Sequence, residues 1–70
     1  MKYVGVKQVL KAVKEDQVDV VYVGKDAEKS VVQDVLQMCK QKQIKLVFVE
    51  TMKELGRMAN IDVKAAVAAD

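Results

Sequence analysis

The chain has no histidine, no tryptophan, one cysteine, one serine and only three glycines in its 70 residues. Each shortage removes a class of chemistry. Without histidine the usual general base near neutral pH is missing, and so is the commonest metal ligand. A single cysteine, Cys39, forms no internal disulfide, and the scattered carboxylates around it offer no zinc spacing. Ser30 has no histidine to activate it as a nucleophile. A phosphate-binding loop needs an earlier glycine and a hydroxyl residue directly after its lysine. Here Asp26 follows Gly24-Lys25 and sets negative charge where a phosphate would sit. The sequence thus points away from an enzyme and away from any metal, cofactor or small-molecule substrate.

Long apolar runs are missing too. A membrane-spanning helix needs about 20 such residues, and the run Val20 to Val23 is far shorter. No apolar segment with a small-residue cleavage site opens the sequence, so a cytoplasmic protein without membrane contact is expected. At this length one domain, residues 1–70, is expected, and a domain so small buries only about 60% of its unfolded surface.

What is present is valine and alanine. Half the residues are apolar (51%), but only Tyr3, Tyr22 and Phe48 are aromatic. That β-branched content suits a packed α/β domain better than a disordered segment. Net charge is only +2, yet it is unevenly spread. The first fourteen residues hold Lys2, Lys7, Lys11 and Lys14 and no acid, and Glu15, Asp16 and Asp19 come directly after. A cationic face on the first helix, or simply a solvated one, follows from that distribution.

Apolar periodicity predicts the elements. Val6, Val9, Leu10 and Val13 recur at helical spacing, with Lys7, Gln8, Lys11 and Lys14 on the opposite side and Gly5 at the start. Val18 and Val20 to Val23 read as a strand covered on both faces, ended by Gly24-Lys25-Asp26. A second helix with Val32, Val35, Leu36 and Cys39 inward follows, and Asp26 is its candidate N-cap. Cys39 is expected to be a core thiol. Leu46 to Val49 predicts a second buried strand. Thr51, with Glu54 three residues on, predicts a capping box for a short third helix carrying Leu55 and Ala59, which Asn60 ends in the left-handed conformation. The alanine-rich segment Lys64 to Ala69 suits helix by composition, but alternation of elements favours an edge strand. The expected fold is a three-layer α/β/α sandwich around a small mixed central sheet.

Three segments then stand out together: Gly5-Val6-Lys7-Gln8-Val9-Leu10-Lys11, the turn Asp26-Ala27-Glu28, and Val47-Phe48-Val49 followed by Leu55-Gly56-Arg57. In order and spacing, over nearly the whole chain, they resemble a bacterial member of the L-seven-Ae and L-thirty-e family of ribosomal and kink-turn RNA-binding proteins. The resemblance implies an α/β/α sandwich that binds a kink-turn, a helix–bulge–helix RNA bent sharply beside tandem sheared G·A pairs. It implies a ribosomal or ribosome-associated protein within a ribonucleoprotein; nothing in the sequence demands a dimer, so a monomer is expected. It also implies two contact regions. The start of the first helix, with Gly5, Lys7, Gln8 and Lys11, would enter the major groove at the G·A pairs. Glu28 and Val32, with the loop Ile61, Asp62, Val63 and Lys64, would read nucleotides thrown out of the bulge.

The residue types fit those roles. Lysine donates to guanine O6 and N7, and glutamine offers both a donor and an acceptor. Gly5 admits a close approach of phosphate to a helix N-terminus. Glu28 accepts from the N3–H of an extruded uracil, while Val32, Ile61 and Val63 supply apolar surface for an unstacked base. The bland roles are a helix start for Gly5, solvated lysines, a first-turn acid for Glu28 and core anchors for Ile61 and Val63; Gly56 and Arg57 are read as structural. Many relatives carry Asn at the place of Lys7, Glu at Gln8, Pro at Lys29 and Gly at Asn60. Exchanging an acid for a neutral side chain and adding a lysine should make binding more salt-dependent. The rival expectation is a protein-interaction module of the same fold without specific RNA binding.

Overall fold

The computed structural model describes residues Met1–Asp70. Its elements are β1 (Tyr3–Val4), α1 (Val6–Lys14), β2 (Val20–Gly24), α2 (Lys29–Lys42), β3 (Lys45–Val49), α3 (Met52–Met58) and β4 (Val67–Ala69). The strands form one mixed sheet in the order β1-β4-β2-β3. β2 and β3 run parallel with Val21 opposite Leu46. β4 is antiparallel both to β2, with Tyr22 opposite Ala68, and to β1, with Tyr3 opposite Ala69.

Alternation along the strands sorts side chains between two cores. On one face Val21, Val23, Val67 and Ala69 pack against Val9, Ala12 and Val13 of α1 and Val32, Val35 and Cys39 of α2. On the other, Ala68, Val49 and Ala65 meet Leu55 and Ala59 of α3, with Val4 and Tyr22 beside them. Two helices therefore cover one face and one helix the other, the expected three-layer α/β/α sandwich. No helix is long and apolar enough to cross a membrane.

Local chemistry explains most boundaries. α1 starts at Gly5 because its φ of 99° is a conformation that side chains rarely adopt. α3 starts where Thr51 accepts a hydrogen bond from the Glu54 N–H at 3.0 Å, the Thr51 half of the expected capping box. It ends before Asn60, left-handed at φ 62°. Lys42, near the end of α2, donates to the Asp16 carboxylate at 2.8 Å and to the Lys14 carbonyl at 2.9 Å, tying α1 and α2 together at their C-termini. Cys39 is fully buried, and that burial pushes its thiol pKa up.

Four expectations need correction. β4 is not an edge strand but lies between β1 and β2, with Val67, Ala68 and Ala69 all fully buried. Its small side chains allow helices to approach it from both faces. β1, only two residues long, was not foreseen and takes one edge. β3 is the other edge, so Leu46 to Val49 is not covered on both faces and Phe48 is 53% exposed. Finally, Asp26 does not cap α2, whose N-cap is Glu28 with no side-chain bond. The Asp26 carboxylate instead accepts from the Met52 N–H at 2.7 Å and so holds the start of α3.

Candidate nucleic-acid interface

The start of α1 is an open helix end. No side chain caps it and no acid lies in its first turn. Its leading N–H groups and its positive dipole end are therefore uncompensated by the protein. Val9, Ala12 and Val13 fix the buried face of the helix, so Lys7, Gln8 and Lys11 are turned to solvent together. The exposed Gln8 side chain accepts from the Val4 N–H through its oxygen at 3.5 Å, which leaves the amide's NH2 group free to donate. A cleft of about 320 Å³ continues from Gln8 and Lys11 toward Lys2 and Tyr3.

The backbone gathers the other predicted segments at the same end of the sheet. The Gly5 N–H donates to the Val67 carbonyl at 3.0 Å, and the Gly24 N–H to the Ala66 carbonyl at 2.9 Å. Two adjacent carbonyls at the entry to β4 are thus held by the start of α1 and the end of β2. The Ala65 N–H donates to the Met52 carbonyl at 3.1 Å, joining the α3–β4 loop to α3. That loop is also closed against the helix. A Cβ built on Gly56 would lie 2.1 Å from the Val63 carbonyl oxygen, so only glycine permits the contact.

Within this assembly the predicted residues divide. Gly5, Lys7, Gln8 and Lys11 form the α1 group. Glu28 is exposed at the start of α2. Asp62, Val63 and Lys64 are exposed on the loop, with Val63 at 68% the most open of the large apolar side chains. Ile61 is half-buried and packs against the α3-side core, so it anchors the loop more than it presents surface. Val32 is not an exposed residue: it is only 3% exposed and belongs to the core beneath the turn, where it lines the bottom of a cleft between α2 and β3. Its i, i+3, i+7 partnership with Val35 and Cys39 carried that signal in the sequence.

Tyr3 carries no signal in the sequence and Lys2 only that of an N-terminal lysine; both line the cleft beside Gln8 and Lys11, with Glu15 and Gln17 at its other side. Sequence reasoning also missed the exposure of Phe48, because a short apolar strand reads the same at an edge as at a centre. No group of three or more His, Cys, Asp or Glu side chains comes together that could hold a metal ion.

The sequence pattern of the ribosomal protein L7Ae/L30e/S12e/Gadd45 family matches residues 3–70. The chain belongs to that family. Within it, the chain is 55% identical over 69 residues to an RNA-binding protein of Caldanaerobacter subterraneus subsp. tengcongensis, covering 99% of this chain and 84% of the relative. It is 46% identical over 66 residues to an RNA-binding protein of Halalkalibacterium halodurans, covering 94% and 80%. Large ribosomal subunit protein eL8 of Halobacterium salinarum is 35% identical over 66 residues, but the chain spans only 55% of its length. Among solved structures, the 15.5kD RNA binding protein of Giardia lamblia superposes with a TM-score of 0.86 at 28% identity. That match covers 94% of this chain and 56% of the Giardia protein. These L7Ae-family relatives are named for RNA binding or as ribosomal proteins, none for a catalytic activity.

Proposed function

We propose that this protein is a non-catalytic RNA-binding module that recognises a kink-turn and holds it in its bent form. The observation that carries the reading is the uncapped start of α1. It presents Lys7, Gln8 and Lys11 on one exposed face and is tied through the Val67 carbonyl to the loop bearing Val63 and Lys64. The family membership supports the same reading.

In this account the open helix end approaches the RNA backbone, where free N–H groups and dipole favour phosphate. Lys7 and the free NH2 of Gln8 donate to purine acceptors at the G·A pairs, and Lys11 to phosphate. Val63 covers an unstacked base of the bulge while Glu28 accepts from it. No bond is made or broken. Contacts that exist only with bent RNA shift its equilibrium toward the bend, by as much as the difference in affinity for the two forms. The partner is a structured RNA of the ribosomal or ribosome-associated kind, and the working unit is one chain.

Gel mobility of a labelled kink-turn duplex tests the assignment of residues. The native chain is expected to retard it, and a duplex with Watson–Crick pairs in place of the G·A pairs is expected to run free. Lys7→Ala combined with Gln8→Ala should abolish the difference between the two. Retention of that difference in the double variant would remove α1 from the site.

A further inference from the structure

Phe48 is the only phenylalanine, and it is left half in solvent on an edge strand. It does not stand alone. With Leu36 and Ala27 it borders a cleft of about 290 Å³ between β3, the β2–α2 turn and α2, and Lys25 and Lys29 form its rim. No acid lines this cleft; Glu50 reaches only its rim, through Lys25 at 3.3 Å. Both partners of that pair are more than half exposed, so a phosphate can displace the carboxylate at little cost.

From the exposed ring, the apolar floor and the two lysines at its rim, we infer that this cleft binds an unpaired nucleotide. The base stacks on Phe48 and lies against Leu36 and Ala27, and the flanking phosphates are met by Lys25 and Lys29. Stacking needs only a π-face, so the site accepts single-stranded RNA without strong sequence preference. The cleft shares the β2–α2 turn with the proposed kink-turn surface, since Gly24 is held to the loop before β4. An unpaired strand leaving a bent duplex could therefore pass directly onto it. The inference itself does not require the kink-turn reading.

Charge argues against the other occupants. A second copy docked edge to edge along β3 would bring Lys45 of each strand, with Lys25 and Lys29, toward the same residues of its neighbour. Lysine on an edge strand is a common guard against such pairing. An uncharged apolar peptide would leave the cationic rim unanswered.

The test is an amide-resolved NMR titration of the full chain with an adenosine hexanucleotide, which has no kink-turn. Shifts are expected at Lys25, Ala27, Lys29, Leu36 and Phe48. Phe48→Leu keeps the apolar bulk and removes the π-face, and should weaken binding about tenfold. Phe48→Tyr keeps the ring and should bind as the native chain does, which guards against misreading a folding defect. Lys25→Gln with Lys29→Gln should weaken binding and flatten its salt dependence. Undiminished binding by Phe48→Leu would overturn the inference, as would shifts confined to Gly5–Lys11. Equal binding of hexaglutamate at the cleft would mean charge alone, and concentration-dependent shifts without RNA would mean self-association; either contradicts the assignment. If a kink-turn duplex leaves Gly5–Lys11 unmoved while the hexanucleotide shifts the cleft, the kink-turn proposal fails and this one stands.

Discussion

Replacing Gly56 with alanine puts two physical effects in direct opposition. Gly56 lies inside α3, where helix propensity alone favours alanine by about 1 kcal/mol. The structure predicts the reverse. The added Cβ would sit 2.1 Å from the Val63 carbonyl oxygen, 3.1 Å from the Val63 carbonyl carbon and 3.2 Å from the Lys64 Cα. All three are backbone atoms, so no side-chain rotation relieves the clash. The α3–β4 loop must move by roughly an ångström to restore van der Waals distance. It is pinned by the Ile61 N–H on the Gly56 carbonyl at 3.0 Å, the Ala65 N–H on Met52 at 3.1 Å and the Ala66 carbonyl under the Gly24 N–H at 2.9 Å. Overpacking of this kind costs about 1–3 kcal/mol, and losing one of those bonds about 1 kcal/mol more. After the propensity gain, a net loss of about 1–3 kcal/mol remains. Urea unfolding followed by circular dichroism reads it directly. With a slope of about 1 kcal/mol per molar for so small a domain, the midpoint should fall by about 1–3 M. A midpoint unchanged or raised would refute the close approach of loop and helix. In a variant still folded at working temperature, the displaced loop should also weaken RNA binding.

Gly5→Ala meets no steric obstacle, since nothing lies within 4 Å of its Cβ, but φ of 99° strains it. A loss of about 1–2 kcal/mol is expected in the same urea assay, with a disturbed α1 start lowering RNA affinity. Thr51→Ala removes the cap bond to the Glu54 N–H and should cost about 1 kcal/mol, again read as a lowered urea midpoint. Lys11→Ala should reduce the slope of log affinity against log salt by about one, with little change in base preference, as measured by binding at a series of salt concentrations. Cys39, buried and with its thiol pKa raised above the ordinary 9.0, should react with a thiol reagent at neutral pH only as fast as the domain unfolds. Because the folded state disfavours the thiolate, Cys39 costs no stability below about pH 9 and lowers stability as pH rises past that value.

How much was legible in the sequence depended on whether a signal was local. The Thr51 cap, the left-handed Asn60, the inward stripe of α2 and the buried thiol were all readable, because each rests on residues within one or two turns. Strand placement was not. Nothing in Leu46 to Val49 says whether a further strand lies beyond it, so its apolar run predicts a buried strand without telling an edge from a centre. The apolar run from Ala65 to Ala69 did carry the mark of a strand buried on both faces, but its alanines have low strand propensity and hid it. A two-residue strand such as Tyr3–Val4 has no periodicity to detect. The sequence offers Asp26 as a cap to the helix that follows it, because only near neighbours are visible there. Its actual partner, the Met52 N–H, is 26 residues away.

The candidate site follows the same division. The exposed α1 row of Lys7, Gln8 and Lys11 could be read from helical period, and the structure gives it its backing through the Gly5 to Val67 bond. Val32 belongs by its spacing to the buried stripe of α2, and at 3% exposure it packs in the core and only lines the bottom of the neighbouring cleft. The aromatic cleft at Phe48 depends on three separate segments meeting, which one sequence does not reveal.

The most direct test of the kink-turn reading is energy transfer across a short kink-turn duplex labelled at both ends and titrated with this protein. Tight binding is expected with the two ends drawn together, and no approach in a control whose G·A pairs are replaced by Watson–Crick pairs. Equal, weak binding to both duplexes without any change in end-to-end distance would contradict it, leaving only nonspecific attraction between lysines and phosphate.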